Sequence, residues 1–241
     1  MKILEDLCSH ITAHDVPVRE VRIGAHWTAV STHYCGLAST MADPHPHVGP
    51  SVREAGRLTE KGASDLMRLA LSEHLMEASI GMATINSLLE VEESDCSETN
   101  AADILAVRGV GKDVAIVGHF PFVPKLREIA RNLWVIEKRP WPGDLEEHRS
   151  EDILPRCHVV GITSTSFINH TLESLLELCR SAFVMLIGAT TPLTPLLFDY
   201  GIDAISGSKV VDEQQVLQYV SQGATFRELH RHGVKLLTMM K

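Results

Sequence analysis

The alternation of short apolar runs with helical segments, from Val114 to the C-terminus, most constrains the fold of this chain. The apolar runs are mostly continuous, which is typical of parallel strands that helices cover on both faces. Between two of them, the segment TLESLLELC places three leucines and a cysteine on one helix face. This pattern predicts right-handed β-α-β units and an α/β, Rossmann-like doubly wound parallel sheet. The strand candidates are VAIVG (114–118), LWVIE (133–137), HVVGIT (158–163), FVMLIG (183–188), DAISG (203–207) and VKLLTM (234–239).

The order of these strands follows from the length of one connection. The segment SEDILPRC, which precedes the third strand candidate, is too short to hold a further β-α-β unit. We therefore expect the third strand beside the first, which gives the order 2-1-3-4-5. Ligands of open α/β sheets bind outside the carboxyl ends of the strands, where this order reverses. The loops GHFPF and TSTSFIN, which follow strands one and three, are predicted to form the floor of a binding site.

The N-terminal half has a different pattern. An amphipathic helix is predicted near the N-terminus, and VREVRIGAHWTAVSTHYCGLAST then alternates in places, which favours two or three antiparallel strands. Two helices follow, over roughly residues 63–72 and 74–90. The polar, acidic segment VEESDCSETNAAD is typical of a linker. We therefore expect a small α+β domain over residues 1–97 and the Rossmann-like domain over residues 98–241.

Composition excludes several classes of protein. The 241 residues carry a net charge of −9 without a long basic run, so nucleic-acid binding is not expected. No apolar stretch approaches the ~20 residues of a membrane span, and the N-terminus lacks the basic flank and apolar core of a signal peptide. Five cysteines are scattered singly, which indicates reduced thiols. These features predict a cytoplasmic protein whose partner is a small molecule.

The first strand-to-helix loop departs from a dinucleotide-binding turn. Gly118 allows the chain to turn sharply at the strand end, but the second and third glycines of the usual motif are missing. Phe120, Pro121 and Phe122 make the loop bulky and apolar, which favours a flat ring over a pyrophosphate. The phenylalanines are equally well explained as anchors in the core.

Two groups are candidates for acid–base chemistry, Glu137 and His119. Glu137 ends the second strand nineteen residues after Gly118, close to the offset at which dinucleotide-binding folds place a ribose-binding acid. It could instead pair with Lys138, with Arg139 or with solvent. His119 lies on the loop after the first strand.

The third and fourth loops are rich in hydroxyl groups. In TSTSFINHT (163–171), either Asn169 or Thr171 suits a helix N-cap. The remaining hydroxyls, including Thr163 and Ser164, exceed what a cap needs and favour a polar or anionic ligand. In GATTPLTP (188–195), Thr194 and Pro195 suit an N-cap with proline after it. That leaves Gly188, Thr190 and Thr191 available for a ligand.

The string DPHPH is the most metal-like part of the sequence. Imidazole and carboxylate ligands suit several transition metals, so Asp43, His45 and His47 are candidate ligands. Three such groups leave a site incomplete, and a solvated loop explains them as well. Since no Cys/His quartet with usable spacing exists, we expect no tightly bound structural zinc.

The assembled motifs resemble those of a prokaryotic family. The C-terminal half resembles the heavy-metal-chelation domain family through GHFPF, VIEKRPWPGD, ILPRCHVVGITSTSFINHTLESLL and GATTPLTPLLFDYGIDAISG. The N-terminal half is similar to the enolase-N-terminal-like domain that precedes it, through HYCGLAST and EASIGMATINSLL. The resemblance implies a cleft between two domains and a role with metals or metal complexes. It also implies that Gly36, Thr40 and Asn86 face this cleft. Asn86, a polar residue in an apolar stretch, either contacts a ligand or satisfies a buried backbone group. The chain departs from the family pattern at Ala189, where proline is expected.

Three functions are compatible with the sequence. The first is a small-molecule binding protein or enzyme in heavy-metal chelation or metal-cofactor metabolism, with a metal ion or metal chelate as its cofactor. The second is an enzyme that uses a nucleotide, a pterin or adenosyl-methionine, which depends on Gly118 and Glu137. The third is a non-catalytic protein that sequesters or delivers metal. The loops favour a small ring-bearing or carboxylate-bearing ligand, with weak or no binding of NAD and ATP, and a homo-oligomer stays open.

Overall fold

The computed structural model describes residues 1–42 and 52–241. The candidate metal ligands Asp43, His45 and His47 lie outside the described residues. Within those residues, every helix is too short or too polar to cross a membrane.

The N-terminal half is a three-stranded antiparallel sheet with helices packed on it, as predicted. Its strand order is β1-β2-β3. The longest helix, α3, packs on β3, where Gly36 has no Cβ that would overlap the backbone of Ala83 and Ser87. The elements are α1 (Lys2–His10), β1 (Glu20–Ile23), β2 (Trp27–Ser31), β3 (Cys35–Ser39), α2 (Ala63–Arg68) and α3 (Leu75–Leu88).

The C-terminal half is a seven-stranded, mostly parallel sheet between helices. The sheet strands are β4 (Asp113–Val117), β5 (Asn132–Glu137), β6 (Leu145–Glu146), β7 (Val159–Thr163), β8 (Phe183–Ile187), β9 (Ala204–Val210) and β10 (Val234–Met240). The helices are α4 (Ala101–Gly109), α5 (Val123–Ile129), α6 (Ser150–Ile153), α7 (Thr165–Ile168), α8 (Leu172–Leu178), α9 (Glu213–Ser221) and α10 (Phe226–Arg231).

The predicted strand order is confirmed. The sheet runs β10-β9-β8-β7-β4-β5-β6, so the five predicted strands have the order 2-1-3-4-5. Val117 pairs with Ile136 on one side and with Ile162 on the other, which brings the carboxyl ends of β5, β4 and β7 level. Two strands extend the sheet: β6 is parallel to β5, and β10 is antiparallel to β9. The order therefore reverses beside β4, where the two site loops were expected.

The two halves share buried apolar packing. One continuous cluster contains Val30 and Ile80 from the N-terminal half and Ile162 from β7. Hydrogen bonds reinforce it, because the Ile3 N–H donates to Glu173 at 2.8 Å and His170 Nε2 donates to the Ala70 carbonyl at 2.9 Å. The boundary at residue 97 stays a prediction.

Candidate functional site

Three of the predicted site residues lie at one edge of the sheet. Gly118 follows β4 with φ of +107°, a conformation that glycine adopts without steric strain. A Cβ on Gly118 would be 2.8 Å from the Cβ of Thr163, at the end of β7. On the other side, the Gly118 N–H donates to the Ile136 carbonyl at 2.9 Å, next to Glu137. The strand ends therefore bring Gly118, Glu137 and Thr163 together.

The carboxylate of Glu137 has no cationic partner among the described residues. The side chain is half-buried, and its one hydrogen bond comes from the neighbouring Lys138 N–H at 3.0 Å. The Lys138 ammonium instead lies 3.4 Å from Glu147. Glu137 thus keeps most of its hydrogen-bonding capacity for a ligand or for water, since an ionised carboxylate has about four acceptor sites.

Phe120 covers the turn at Gly118. Its ring carbon would be 3.2 Å from a Cβ on Gly118. The ring stacks on Phe122, with centroids 5.0 Å apart and planes at 13°. Both rings also pack against the cluster of buried residues on the α4–α5 face of the sheet. They therefore anchor the loop, and Phe120 also occupies space that a pyrophosphate needs when it approaches the turn.

His119 lies beside a turn that the sequence interpretation did not assign to the site. Its Nδ1 is 3.2 Å from Asp144 Oδ2, and its ring centroid is 4.1 Å from that of Trp141. Both partners come from the connection between β5 and β6. The string W-P-G-D is a turn signal, with proline and glycine at adjacent central positions. This turn signal could have shown that Trp141 and Asp144 belong to one tight turn near the site.

Most hydroxyl groups of the third loop form hydrogen bonds within the loop. Thr163 and Thr165 form a hydrogen bond to each other at 3.0 Å. Asn169 Oδ1 accepts from the Thr171 hydroxyl at 2.7 Å and from the Thr171 N–H at 3.3 Å, so these two residues satisfy each other within the turn before α8. Ser164 is buried, and its hydroxyl oxygen lies next to Gly188 of the fourth loop.

The fourth loop contacts the N-terminal half through its first threonine. The Thr190 hydroxyl accepts from the Ser39 N–H at 2.9 Å and donates to the Ser39 hydroxyl at 3.3 Å. Asn86 Nδ2 donates to the carbonyls of Leu37 and Thr190, at 2.8 and 3.1 Å. These bonds form because the loop after β8 passes the end of β3, where the Ser39 N–H is available to it. Thr190 and Asn86 therefore join the two halves.

Three further predicted residues lie close to this contact. The Thr40 hydroxyl is 2.9 Å from that of Thr28 across β2 and the end of β3. The Thr191 hydroxyl is buried and has no hydrogen-bond partner within residues 1–42 and 52–241. A Cβ on Gly188 would be 2.5 Å from the Ser164 hydroxyl oxygen, so only glycine leaves that hydroxyl its space. The ligand-binding roles of these residues stay predictions.

The described residues offer no ready-made site for a bare metal ion. No group of three or more His, Cys, Asp or Glu side chains in residues 1–42 and 52–241 is arranged to hold one. Burial raises the pKa of the Cys35 and Cys179 thiols to about 12 and that of Cys157 to about 11. Because the thiolate is the form that binds metal, these buried cysteines are poor ligands in the folded protein.

Family models match both halves of the chain. One, DUF364, has the description "Putative heavy-metal chelation" and matches residues 100–239. A second, DUF4213, has the same description and matches residues 5–89. An uncharacterized protein of Methanocaldococcus jannaschii is 27% identical over 168 residues, which cover 66% of this chain and 65% of that protein. The chain thus spans just under two thirds of the length of this relative.

Two solved structures share the fold. A protein of unknown function from the DUF364 family of Desulfitobacterium hafniense is 28% identical with a TM-score of 0.87, covering 100% of this chain and 98% of that one. A protein of unknown function from the same family of Pyrococcus horikoshii is 18% identical with a TM-score of 0.85, at the same coverages, and supports the fold alone. Since the DUF364 model spans more than half of the residues, the chain belongs to the DUF364 family, whose description is "Putative heavy-metal chelation".

Proposed function

We propose that the protein binds a small organic molecule that chelates metal, alone or as its metal complex, at the carboxyl ends of β5, β4 and β7. The observation that carries the proposal is the Glu137 carboxylate, which is half-buried at a strand end without a cationic partner among the described residues. Such a group is held in position by the strand while its oxygens stay available for a hydroxyl or amine donor.

The distance between the ends of β5 and β7 suits a small ligand. Glu137 ends β5 and Ser164 follows β7, and these two strands flank β4. Neighbouring strands lie ~4.8 Å apart, so the two positions are separated by about 10 Å. A molecule of one or two rings can span that distance, with Glu137 at one end and the loop after β7 at the other. The proposed ligand lies between these strand ends and the N-terminal half.

The arrangement of donor groups favours a chelate as cargo over a bare ion. A transition metal needs several closely spaced His, Cys or carboxylate ligands, and the described residues do not supply a group of three. In a chelate, the organic molecule supplies the metal ligands, so the protein needs only to form hydrogen bonds to it and to match its shape. This reconciles the family description with the side chains at the edge.

A nucleotide-, pterin- or adenosyl-methionine-using enzyme is the second candidate. Glu137 favours it, because it ends the strand beside β4, where dinucleotide-binding folds place the acid that binds ribose. The ring of Phe120 over Gly118 opposes it for NAD and ATP, since that ring fills the approach of phosphates to the turn. Calorimetric titration with NAD, ATP and adenosyl-methionine separates the two candidates.

The test is native mass spectrometry with elemental analysis of the purified protein, in the wild type and in Glu137→Gln. A matched control is Glu147→Gln, since Glu147 pairs with Lys138 near the same strand. We expect a small-molecule or metal-complex adduct that is retained in the control and lost in Glu137→Gln. An adduct that Glu137→Gln retains contradicts the proposal. Micromolar binding of NAD or ATP that depends on Glu137 would replace it with the second candidate.

A further inference from the structure

The turn Trp141-Pro142-Gly143-Asp144 forms a rigid wall next to His119. The Asp144 N–H donates to the Trp141 carbonyl at 2.9 Å, which closes a four-residue turn. Gly143 has φ of +97°, as the third residue of a type II turn requires, and proline precedes it in the position where that turn favours proline. The Trp141 N–H donates back to Asp144 Oδ2 at 3.1 Å. The position of the tryptophan is therefore fixed by the turn itself.

Asp144 also fixes the orientation of His119. Its side chain is only 5% exposed, and a carboxylate can only accept, so His119 Nδ1 carries the hydrogen of their 3.2 Å contact. In this tautomer, Nε2 is the acceptor nitrogen of the ring. Trp141 lies against the ring at a centroid distance of 4.1 Å. The Asp144 carboxylate thus bonds both to the Trp141 backbone and to the His119 ring, and it places the indole ring beside His119 Nε2.

These side chains line an open pocket of about 510 Å³ between the turn and α5, which is within the size range of small-molecule sites. Trp141 is 63% exposed, an unusual state for so large an apolar side chain. Arg127, from α5, also lines the pocket and has no ion-pair partner among the described residues. Glu128 lies in the same wall and disfavours a ligand with several negative charges.

We infer that this pocket, which we call the Trp141 pocket, binds a planar aromatic acid with one carboxylate. The ring stacks on Trp141, the carboxylate pairs with Arg127, and a hydroxyl next to the carboxylate donates to His119 Nε2. The lining of the Trp141 pocket includes neither Glu137 nor Ser164, so the inference goes beyond the proposed function and assigns a second site. The cation comes from α5, whereas the strand-end loops supply none.

The probe for this inference is salicylate, with benzoate and cyclohexanecarboxylate as comparisons, in ligand-observed NMR titrations of the full chain. We expect salicylate to bind more tightly than benzoate, and cyclohexanecarboxylate to bind at least tenfold more weakly than salicylate because it cannot stack. Trp141→Leu and Arg127→Gln should each weaken salicylate roughly tenfold or more. Arg180→Gln is the matched control. Arg180 precedes β8 and so lies at the amino ends of the parallel strands, away from the pocket. The control should leave binding unchanged.

Asp144 is a positioning residue, and its test is spectroscopic. In ¹⁵N spectra of the imidazole, we expect the Nδ1–H tautomer of His119 in the wild type and a mixture of tautomers in Asp144→Asn. Equal affinity for cyclohexanecarboxylate, equal losses in Arg127→Gln and Arg180→Gln, or an unchanged tautomer in Asp144→Asn would overturn the inference. If salicylate does not bind while an adduct still depends on Glu137, the inference fails and the proposed function stands.

Discussion

Replacement of Glu77 by glutamine tests the ion pair that ties the chain after residue 51 to α3. The Glu77 side chain is 1% exposed, yet its carboxylate accepts four hydrogen bonds. Arg53 donates to it from its backbone N–H, Nε and Nη2, at 2.8, 3.0 and 2.9 Å, and the Ser72 hydroxyl donates at 2.6 Å. Burial alone would raise the pKa of Glu77, but the hydrogen bonds from Arg53 and Ser72 outweigh it and lower this pKa from 4.5 to about 2.

The magnitude follows from that difference in pKa. A carboxyl group with a pKa of about 2 in the folded state and 4.5 in the unfolded state contributes at most about 3 kcal/mol to the free energy of unfolding at neutral pH. Arg53 is 66% exposed, so solvent screens the pair, and we expect ~1–2 kcal/mol. Because the folded-state pKa is lowered, the contribution is complete above about pH 4.5 and is lost as the pH falls through about 2.

The assay is urea denaturation of the wild type and Glu77→Gln at several pH values between 7 and 3. The variant should be less stable by a constant amount down to about pH 5, and more than half of the difference should disappear by about pH 3. Glu60→Gln is the control, since it removes an exposed pair with Arg57 and should change stability by less than about 0.5 kcal/mol. A Glu77→Gln protein as stable as the wild type at pH 7, or a difference that grows on acidification, would refute the reasoning.

Three further predictions concern packing, the contact between the halves, and the thiols. Gly36→Ala should lower the free energy of unfolding by about 3 kcal/mol, because its Cβ would overlap the backbone of α3. Gly62→Ala is the control in the same denaturation assay. Its Cβ would meet nothing closer than 3.7 Å, so it should lower the free energy of unfolding by at most about 1 kcal/mol. Thr190→Val should lower it by ~1–2 kcal/mol, because it leaves the Ser39 N–H without its acceptor. Cys179, whose pKa burial raises to about 12, should react with a thiol reagent only after unfolding.

The fold was largely predictable because continuous apolar runs and short connections restrict a parallel sheet to few arrangements. The strand order beside β4 followed from the lack of room between β5 and β7, and it is confirmed. Two elements gave weaker signals. β6 has two residues, Leu145 and Glu146, which is too short for any periodicity. Helix α4 begins after Asn100, whose side chain caps it, inside a segment whose polar composition is also typical of a linker.

The site was predictable where the backbone alone decides position. Gly118, Glu137 and Thr163 come together because parallel strands end at the same edge of the sheet. Contacts between distant segments were not predictable, since no local pattern shows that the Thr190 hydroxyl meets the Ser39 N–H. A bond from Asn86 to buried backbone was one of its two expected roles, but the sequence did not reveal that its amide donates to two carbonyls, one from each half.

The contacts between the halves restrict how the proposed ligand could be recognised. Asn86 joins the Leu37 and Thr190 carbonyls, and the Tyr200 hydroxyl donates to Asp6 of α1. A buried apolar cluster runs through both halves behind these hydrogen bonds. Separation of the halves would expose this cluster and break the hydrogen bonds at once, so opening as two bodies is strongly disfavoured. We therefore expect recognition to depend on side chains already in place at the strand ends, such as the unpaired carboxylate of Glu137, and on adjustment of nearby loops.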